Sequence, residues 1–390
     1  MSVNTMSTEQ AYALINAVHE QVTGQSDIQA TDPSSFVSVA QATLRCGYDE
    51  VMNAISQVLS RTIIAVRPYS RKFRGLEFTA DRWGGIVRKI NFIEGETEED
   101  NTYNLTDGNS IDQYVIDKPK VLETHYYGQD VFKDKYTVLT RQLDVAFSSE
   151  ADFGAFMAGV ATHFSNMWEQ WLENLSRTTL LNFMAGKINN GNVVYLLDEY
   201  NAATGLSLTP TTVRDPDNYA GFMKWAYARV AELSRLMTER SVLFQTELTD
   251  LPIVRHTPVE DQNTIMLASF LESMKAEVQS GAYNDSFLNY AVSESVSYWQ
   301  AITDPAEINV TPVQLKADGD FETGDAVVMD NILGVIFDRD AVGYNIAQNE
   351  IVASPYNAAG QYYNLFHHAK VRLENDFTEK GVVLALTAGE

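Results

Sequence analysis

The adjacent histidines His367-His368 and the lone cysteine Cys46 are the residues here best suited to metal binding or nucleophilic chemistry, and their spacing supports neither. Neighbouring side chains on a strand point to opposite faces, so the two imidazoles cannot share one metal ion. The other histidines, His19, His125, His163 and His256, are scattered. One cysteine builds neither a Cys-rich zinc site nor a disulfide framework. Asp338-Arg339-Asp340-Ala341-Val342-Gly343 imitates the opening of a calcium loop, with acids first and third and glycine sixth. Val342 in fifth place and Asn349 in twelfth stand where a ligand and a bidentate glutamate belong, so the match fails. No phosphate-cradling, dinucleotide-binding, zinc-protease or nucleophile-elbow motif occurs. The chain is therefore expected to be no enzyme and to need no cofactor. An unfamiliar cytoplasmic enzyme using dispersed carboxylates is the alternative.

What remains is the chemistry of contact. Arg61, Arg67, Arg71, Lys72, Arg74, Arg82, Arg88 and Lys89 gather many of the 28 basic residues into one short stretch. An acidic run, Glu94, Glu96, Glu98, Glu99 and Asp100, follows directly. Two readings are open: solvated clusters on one monomer, or charges that meet complementary charges on a neighbouring subunit. On the second reading Arg71, Lys72, Arg74, Arg82, Arg88 and Lys89 face Glu96, Glu98, Glu99 and Asp100 across a contact. Aromatics such as Trp83, Phe92, Tyr126 and Phe132 anchor it. The net charge of −24 disfavours tight, sequence-independent binding of a polyanion, which needs a basic surface.

The elements that would carry these residues are legible from periodicity. Ser7 caps a helix with Tyr12, Ile15, Val18 and Val22 on one face, and Phe36, Val39, Leu44, Val51, Met52, Ile55 and Leu59 predict more helix. Trp83–Ile93 and Val121–Val138 have strand-like content, which predicts a long extended excursion with a polar tip near Asp100–Asp112. Neither arm is apolar enough to fold alone, so the excursion must lean on something else. From Ser149, a capping box with Asp152, apolar residues recur at spacings of three and four: Phe153, Phe156, Met157, Val160, Phe164, Trp168, Trp171, Leu172, Leu175 and Phe183. Gln170, Glu173 and Arg177 mark the opposite, polar face, and Gly186 with Asn189-Asn190-Gly191 the end. About 36 residues at roughly 1.5 Å each predict a rod on the order of 54 Å long. Tyr219–Met237 predicts another amphipathic helix. Ser241–Phe244, Thr264–Phe270, Ile308–Val310, Ala326–Met329, Gly334–Phe337, Gln361–Phe366 and Val382–Leu386 predict short strands. Helices and strands without βαβ alternation define an α+β class. No stretch approaches a membrane span, and the first residues lack the basic start and apolar core of a secretory signal.

The C-terminal third carries ordered motifs. They are Asp330-Asn331-Ile332-Leu333-Gly334-Val335-Ile336-Phe337-Asp338-Arg339-Asp340-Ala341, then Ser354-Pro355-Tyr356-Asn357-Ala358 with Tyr362-Tyr363-Asn364, and Asn375-Asp376-Phe377-Thr378-Glu379-Lys380-Gly381-Val382-Val383. Trp299-Gln300-Ala301-Ile302-Thr303-Asp304-Pro305 and Ile308-Asn309-Val310-Thr311-Pro312 lead into them. Together they resemble the major capsid proteins of tailed bacteriophages with the Hong Kong 97-type fold, with Lys380 where asparagine is commoner. The resemblance implies an N-terminal arm (1–69), an extended loop or E-loop (70–135), a P-domain (136–194) with a spine helix at 149–186, and an A-domain (195–325). The last strands (326–390) then complete the P- and A-domain sheets. It further implies self-assembly into pentamers and hexamers of an icosahedral shell around double-stranded DNA, bound without sequence specificity. The implied partners are a scaffolding protein, a portal and decoration proteins, with assembly in the bacterial host cytoplasm and no membrane. An encapsulin-like nanocompartment shell of the same fold is the nearest alternative.

Overall fold

The computed structural model describes residues 7–61, 69–78, 86–93, 104–110, 114, 116, 118, 120–127, 130–247, 253–279, 292–315 and 320–388. The helices among them are α1 Thr8–Thr23, α2 Pro33–Arg45, α3 Tyr48–Arg61, α4 Thr140–Ala146, α5 Glu150–Asn189, α6 Leu196–Thr204, α7 Pro216–Thr238 and α8 Ala268–Gln279. The strands are β1 Ile86–Ile93, β2 Lys120–Tyr127, β3 Asp130–Leu139, β4 Val193–Tyr195, β5 Gln262–Leu267, β6 Glu294–Val296 and β7 Ile308–Val310. They continue with β8 Val313–Leu315, β9 Phe321–Thr323, β10 Val327–Met329, β11 Ile332–Asp338, β12 Val342–Ala353, β13 Tyr362–Asn375 and β14 Gly381–Ala385. Contacts divide the chain into two compact units.

The first unit comprises Met1–Gly84, Gly128–Ser176 and Tyr344–Leu373. Its helices start where side chains satisfy the free N–H groups of a first turn: the Ser7 hydroxyl accepts from the Gln10 N–H, and the Gln10 side chain accepts from the Ser7 N–H. Asp32 and Ser35 repeat the device at α2, with Pro33 in the first turn. The apolar faces so aligned, Ile15 and Val18, Phe36 and Val39, Met52 and Ile55, pack on Phe153, Met157 and Val160 of α5. Val138 and Leu365 join that core from a three-stranded sheet ordered β12–β13–β3. In it β3 and β13 run antiparallel from Leu139↔Tyr362 to Asp130↔Val371.

Helix α5 has 40 residues, about 60 Å at roughly 1.5 Å per residue. It begins as expected, with the Ser149 hydroxyl accepting from the Asp152 N–H. Of the two expected terminators, Gly186 stays helical, and the helix stops at Asn189-Asn190-Gly191, where Gly191 has a φ of +76°. Gly186 serves packing instead, because a Cβ there would enter the Phe377 ring. The polar face of α5 is a second correction, since Glu173 and Arg177 are both buried.

The second unit comprises Gly85–Tyr127, Arg177–Gly343 and Glu374–Glu390. Its main sheet is ordered β4–β14–β11–β5–β6. Strand β11 is antiparallel to β14 and β5, whereas β4 and β6 add in parallel at the edges. Every residue of β11 and β14 is buried, which is why both read as unbroken apolar runs. Phe183 of α5 meets Phe337 of β11 at a ring separation of 5.8 Å. Helix α7 buries Phe222, Met223, Ala226, Val230, Leu233 and Met237.

Two expected strands change character. Ser241–Phe244 forms only a bridge from Ser241 to Arg255 and then a turn, with Phe244 at φ +67°. That conformation aims the Phe244 carbonyl at the Lys187 ammonium (2.9 Å) and the Gly381 N–H (2.8 Å). Thr264–Phe270 is strand through Leu267 and helix from Ala268.

Of the expected excursion, β1 and β2 form an antiparallel hairpin from Ile86↔Tyr127 to Ile93↔Lys120. Much of its expected tip, Asp100–Asp112, lies outside the described residues.

Candidate functional site

The basic residues grouped by sequence separate into those turned inward and those left outward. Arg71, in the first unit, is buried. Its Nη1 donates to Glu169 Oε1 at 2.6 Å, its Nε to the Tyr344 hydroxyl at 2.9 Å, and its Nη2 pairs with Glu77. Burial works against the charge, but Tyr344 and Glu169 outweigh it and hold the guanidinium above its ordinary pKa. Arg74 stays 60% exposed, 3.5 Å from Glu169. Lys72 is exposed, and its backbone N–H donates to Glu173 Oε2 at 3.1 Å. Tyr69 donates its hydroxyl to the same oxygen at 2.5 Å. The segment entering the excursion is thus strapped to α5 by two glutamates one helical turn apart. Sequence reasoning missed Glu169 and read Glu173 as solvent-facing, although their i,i+4 spacing inside an apolar stripe was a usable sign.

In the second unit, Lys89 bridges two acids, Asp376 Oδ2 at 2.6 Å and Glu379 Oε1 at 2.5 Å. Desolvation opposes the Lys89 charge, yet the two carboxylates raise its pKa overall. Burial likewise opposes ionisation of Asp376, but Lys89, Thr378 and Arg255 hold its carboxyl below the usual range. Arg88 points the other way, 60% exposed and 3.2 Å from Glu123. Arg82, Trp83, Glu96, Glu98, Glu99 and Asp100 lie outside the described residues.

The register of the hairpin explains this alternation. Residues directly opposite in an antiparallel pair share a face, and successive residues alternate. One face therefore carries Arg88, Ile90, Phe92, Val121, Glu123 and His125, all exposed. Phe92 is 67% exposed, Val121 48% and Ile90 43%, an apolar strip flanked by charge. The other face carries Lys89, Asn91, Thr124 and Tyr126; Asn91 and Thr124 are buried and Tyr126 is half-buried. Burial first, then Asp376, raises the Tyr126 hydroxyl pKa. Of the expected aromatic anchors, Phe92 faces outward. Phe132 belongs to its own chain, with its ring 4.9 Å from Trp171 and 5.5 Å from His367.

Among the described residues no group of three His, Cys, Asp or Glu side chains could hold a metal ion, and no helix is long and apolar enough to cross a membrane. A cleft of about 450 Å³ in the second unit is lined mainly by apolar side chains such as Val213, Phe222, Phe270 and Leu333.

Solved structures share this fold of one long helix, a buried mixed sheet and a two-stranded hairpin. The capsid of Staphylococcus phage Andhra matches with a TM-score of 0.53 at 12% identity, covering 83% of this chain and 86% of that one. A chain from the structure of head fiber and inner core protein gp22 of native bacteriophage P68 matches with a TM-score of 0.54 at 12% identity, covering 84% and 87%. The chain belongs to the Phi29-like phage major capsid protein family, whose profile matches residues 14–384. Comparison with curated proteins returns no match. The family is one of structural proteins of the virion capsid rather than enzymes.

Proposed function

We propose that this chain self-assembles, through pentamers and hexamers, into an icosahedral shell enclosing double-stranded phage DNA, and that the bare face of the β1–β2 hairpin grips the adjacent copy. The observation that carries the reading is the strip of Ile90, Phe92 and Val121, exposed although each is strongly apolar. Strand positions normally bury such side chains, and an exposed apolar patch with a polar rim is the signature of an interface. Arg88, Glu123 and His125 surround the strip and supply register more than affinity, since exposed ion pairs contribute about 0–1 kcal/mol each. Lys72 and Arg74, outward-facing in the first unit, are further candidates for pairing across the contact, as are Arg82, Trp83, Glu96, Glu98, Glu99 and Asp100.

In this reading residues 1–69 form the N-terminal arm, 70–135 the E-loop, 136–194 the P-domain with its spine and 195–325 the A-domain, with 326–390 returning to complete the sheets of a Hong Kong 97-type subunit. Weak contacts suffice, because each subunit engages several neighbours at high effective concentration. Assembly takes place in the bacterial host cytoplasm with a scaffolding protein, a portal and decoration proteins. The net charge of −24 keeps the shell from adhering to the genome it holds. The Phe92→Glu variant tests the grip: unfolding of the unassembled chain should stay within about 0.5 kcal/mol of wild type, as for exposed positions generally. Electron microscopy should find no closed particles. Normal shells from this variant would remove the hairpin face from the interface.

A further inference from the structure

The Asp376–Lys380 turn belongs to a motif that the sequence singles out and that shell building alone leaves unexplained. Its side chains are almost entirely committed to two tasks. From below, Lys187 donates to three carbonyls, those of Phe244 (2.9 Å), Phe377 (2.9 Å) and Glu379 (2.8 Å). Lys380 reaches back to the Glu239 carbonyl at 2.8 Å and the Ser241 hydroxyl at 2.9 Å. The turn is thereby fixed to the second unit. From above, its acids receive the hairpin. Lys89 spans Asp376 and Glu379, and Arg255 Nη1 reaches Glu379 at 2.6 Å. Arg255 Nη2 then donates to Asn91 Oδ1 at 3.0 Å and Thr378 Oγ1 at 2.9 Å.

We infer that Lys89 and the Asp376/Glu379 turn are a polar latch that sets the orientation in which the hairpin presents its outer face to a neighbouring copy. This rests on the reading of that outer face as an intersubunit grip. A two-stranded hairpin alone is marginally stable, so its attachment decides its position. Here the attachment at the root is made largely by ions and hydrogen bonds: Lys89, Asn91, Thr124 and Tyr126 stand on the inward face beside half-buried Leu122 and Ile93, while the exposed apolar residues Ile90, Phe92 and Val121 lie on the other. Directional bonds between charged groups fix an angle, whereas apolar contact tolerates sliding. Lys89 and Arg255 are positioning residues for the contact rather than members of it. When Lys89 is removed Glu379 keeps its pair with Arg255, and Asp376 keeps the hydrogen bonds it accepts from the Thr378 N–H and hydroxyl.

The experiment is hydrogen exchange on the full unassembled chain carrying Lys89→Met or Lys89→Arg, with particle yield measured in parallel. The expected result for K89M is exchange of the amides of 86–93 and 120–127 faster by about tenfold or more, the effect of losing a charged hydrogen-bonded pair. Strands Ile332–Asp338 and Gly381–Ala385 should stay protected, and K89R should restore the hairpin. Hairpin amides that exchange at the wild-type rate in K89M would overturn the latch. So would an equal loss of protection in hairpin and core strands, because that is a merely structural role. A loosened hairpin together with normal particle yield would uphold the latch and instead defeat the outer face as the grip.

Discussion

Acidification should weaken the first unit through one buried imidazole. His367 is 3% exposed on β13, with ring centroids of Phe132, Phe164 and Trp168 at 5.5, 5.7 and 5.4 Å. Its Nε2 lies 2.6 Å from Asn349 Oδ1, which fits the tautomer with hydrogen on Nε2; the Nδ1 has no hydrogen-bond partner among the described residues. Burial lowers the pKa from 6.5 to about 4; Asp134 on β3 opposes the shift and His368 on the same strand assists it. His163 on α5 meets the Phe164 ring edge-on and lies 3.0 Å from Asp134, a further titratable neighbour.

The sign follows from proton uptake. Between pH 6.5 and 4 the unfolded chain binds a proton at this position that the folded chain refuses, so stability falls as pH falls. The contribution is fully present above pH 6.5 and lost through about pH 4, worth about 3 kcal/mol at roughly 1.4 kcal/mol per pH unit. Urea unfolding of the unassembled chain at pH 7, 5.5 and 4, followed by tryptophan fluorescence, measures it, because Trp168 adjoins the imidazole. His367→Gln keeps a donor for Asn349 but has no proton to gain. The variant should lose about 3 kcal/mol less than wild type between pH 7 and 4. Parallel losses in the two proteins would refute the assignment, since carboxylates elsewhere would then account for all the acid sensitivity.

Three further outcomes follow from the packing. Arg71→Met leaves the Glu169 carboxylate buried without its main partner, and denaturant unfolding should show a loss of about 3 kcal/mol or more. Gly186→Ala drives a methyl group into the Phe377 ring, so a thermal melt should register a destabilisation of about 1–3 kcal/mol. Trp299→Phe removes the Nε1 donor that serves the Ile332 carbonyl at 3.0 Å in a fully buried site, and chemical denaturation should show a cost of about 1–3 kcal/mol.

The difference between what sequence conveyed and what it concealed has one physical origin: the range of the interaction involved. Helix α5 was legible because its determinants are local, apolar residues every third and fourth position behind a serine cap. Strands β11 and β14 were legible because burial on both faces leaves unbroken apolar runs. Gly186 was misread as a stop because glycine often ends helices, and only Phe377, far along the chain, reveals why a side chain is excluded there. Ser241–Phe244 has strand-like composition, but its backbone answers to the Lys187 ammonium. Charge is the extreme case. A run of Arg and Lys states how many cations leave a segment, not which way each one points. Glu169 and Tyr344, two of the partners of Arg71, are 98 and 273 residues away, and those of Lys89 are 287 and 290 away. On β1 the adjacent cations Arg88 and Lys89 necessarily face opposite sides, so treating them as one cluster could not have been right for both. The strand's two-residue period already contained that division, and register converted it into one residue on the exposed face beside Glu123 and one committed to the hairpin's own root.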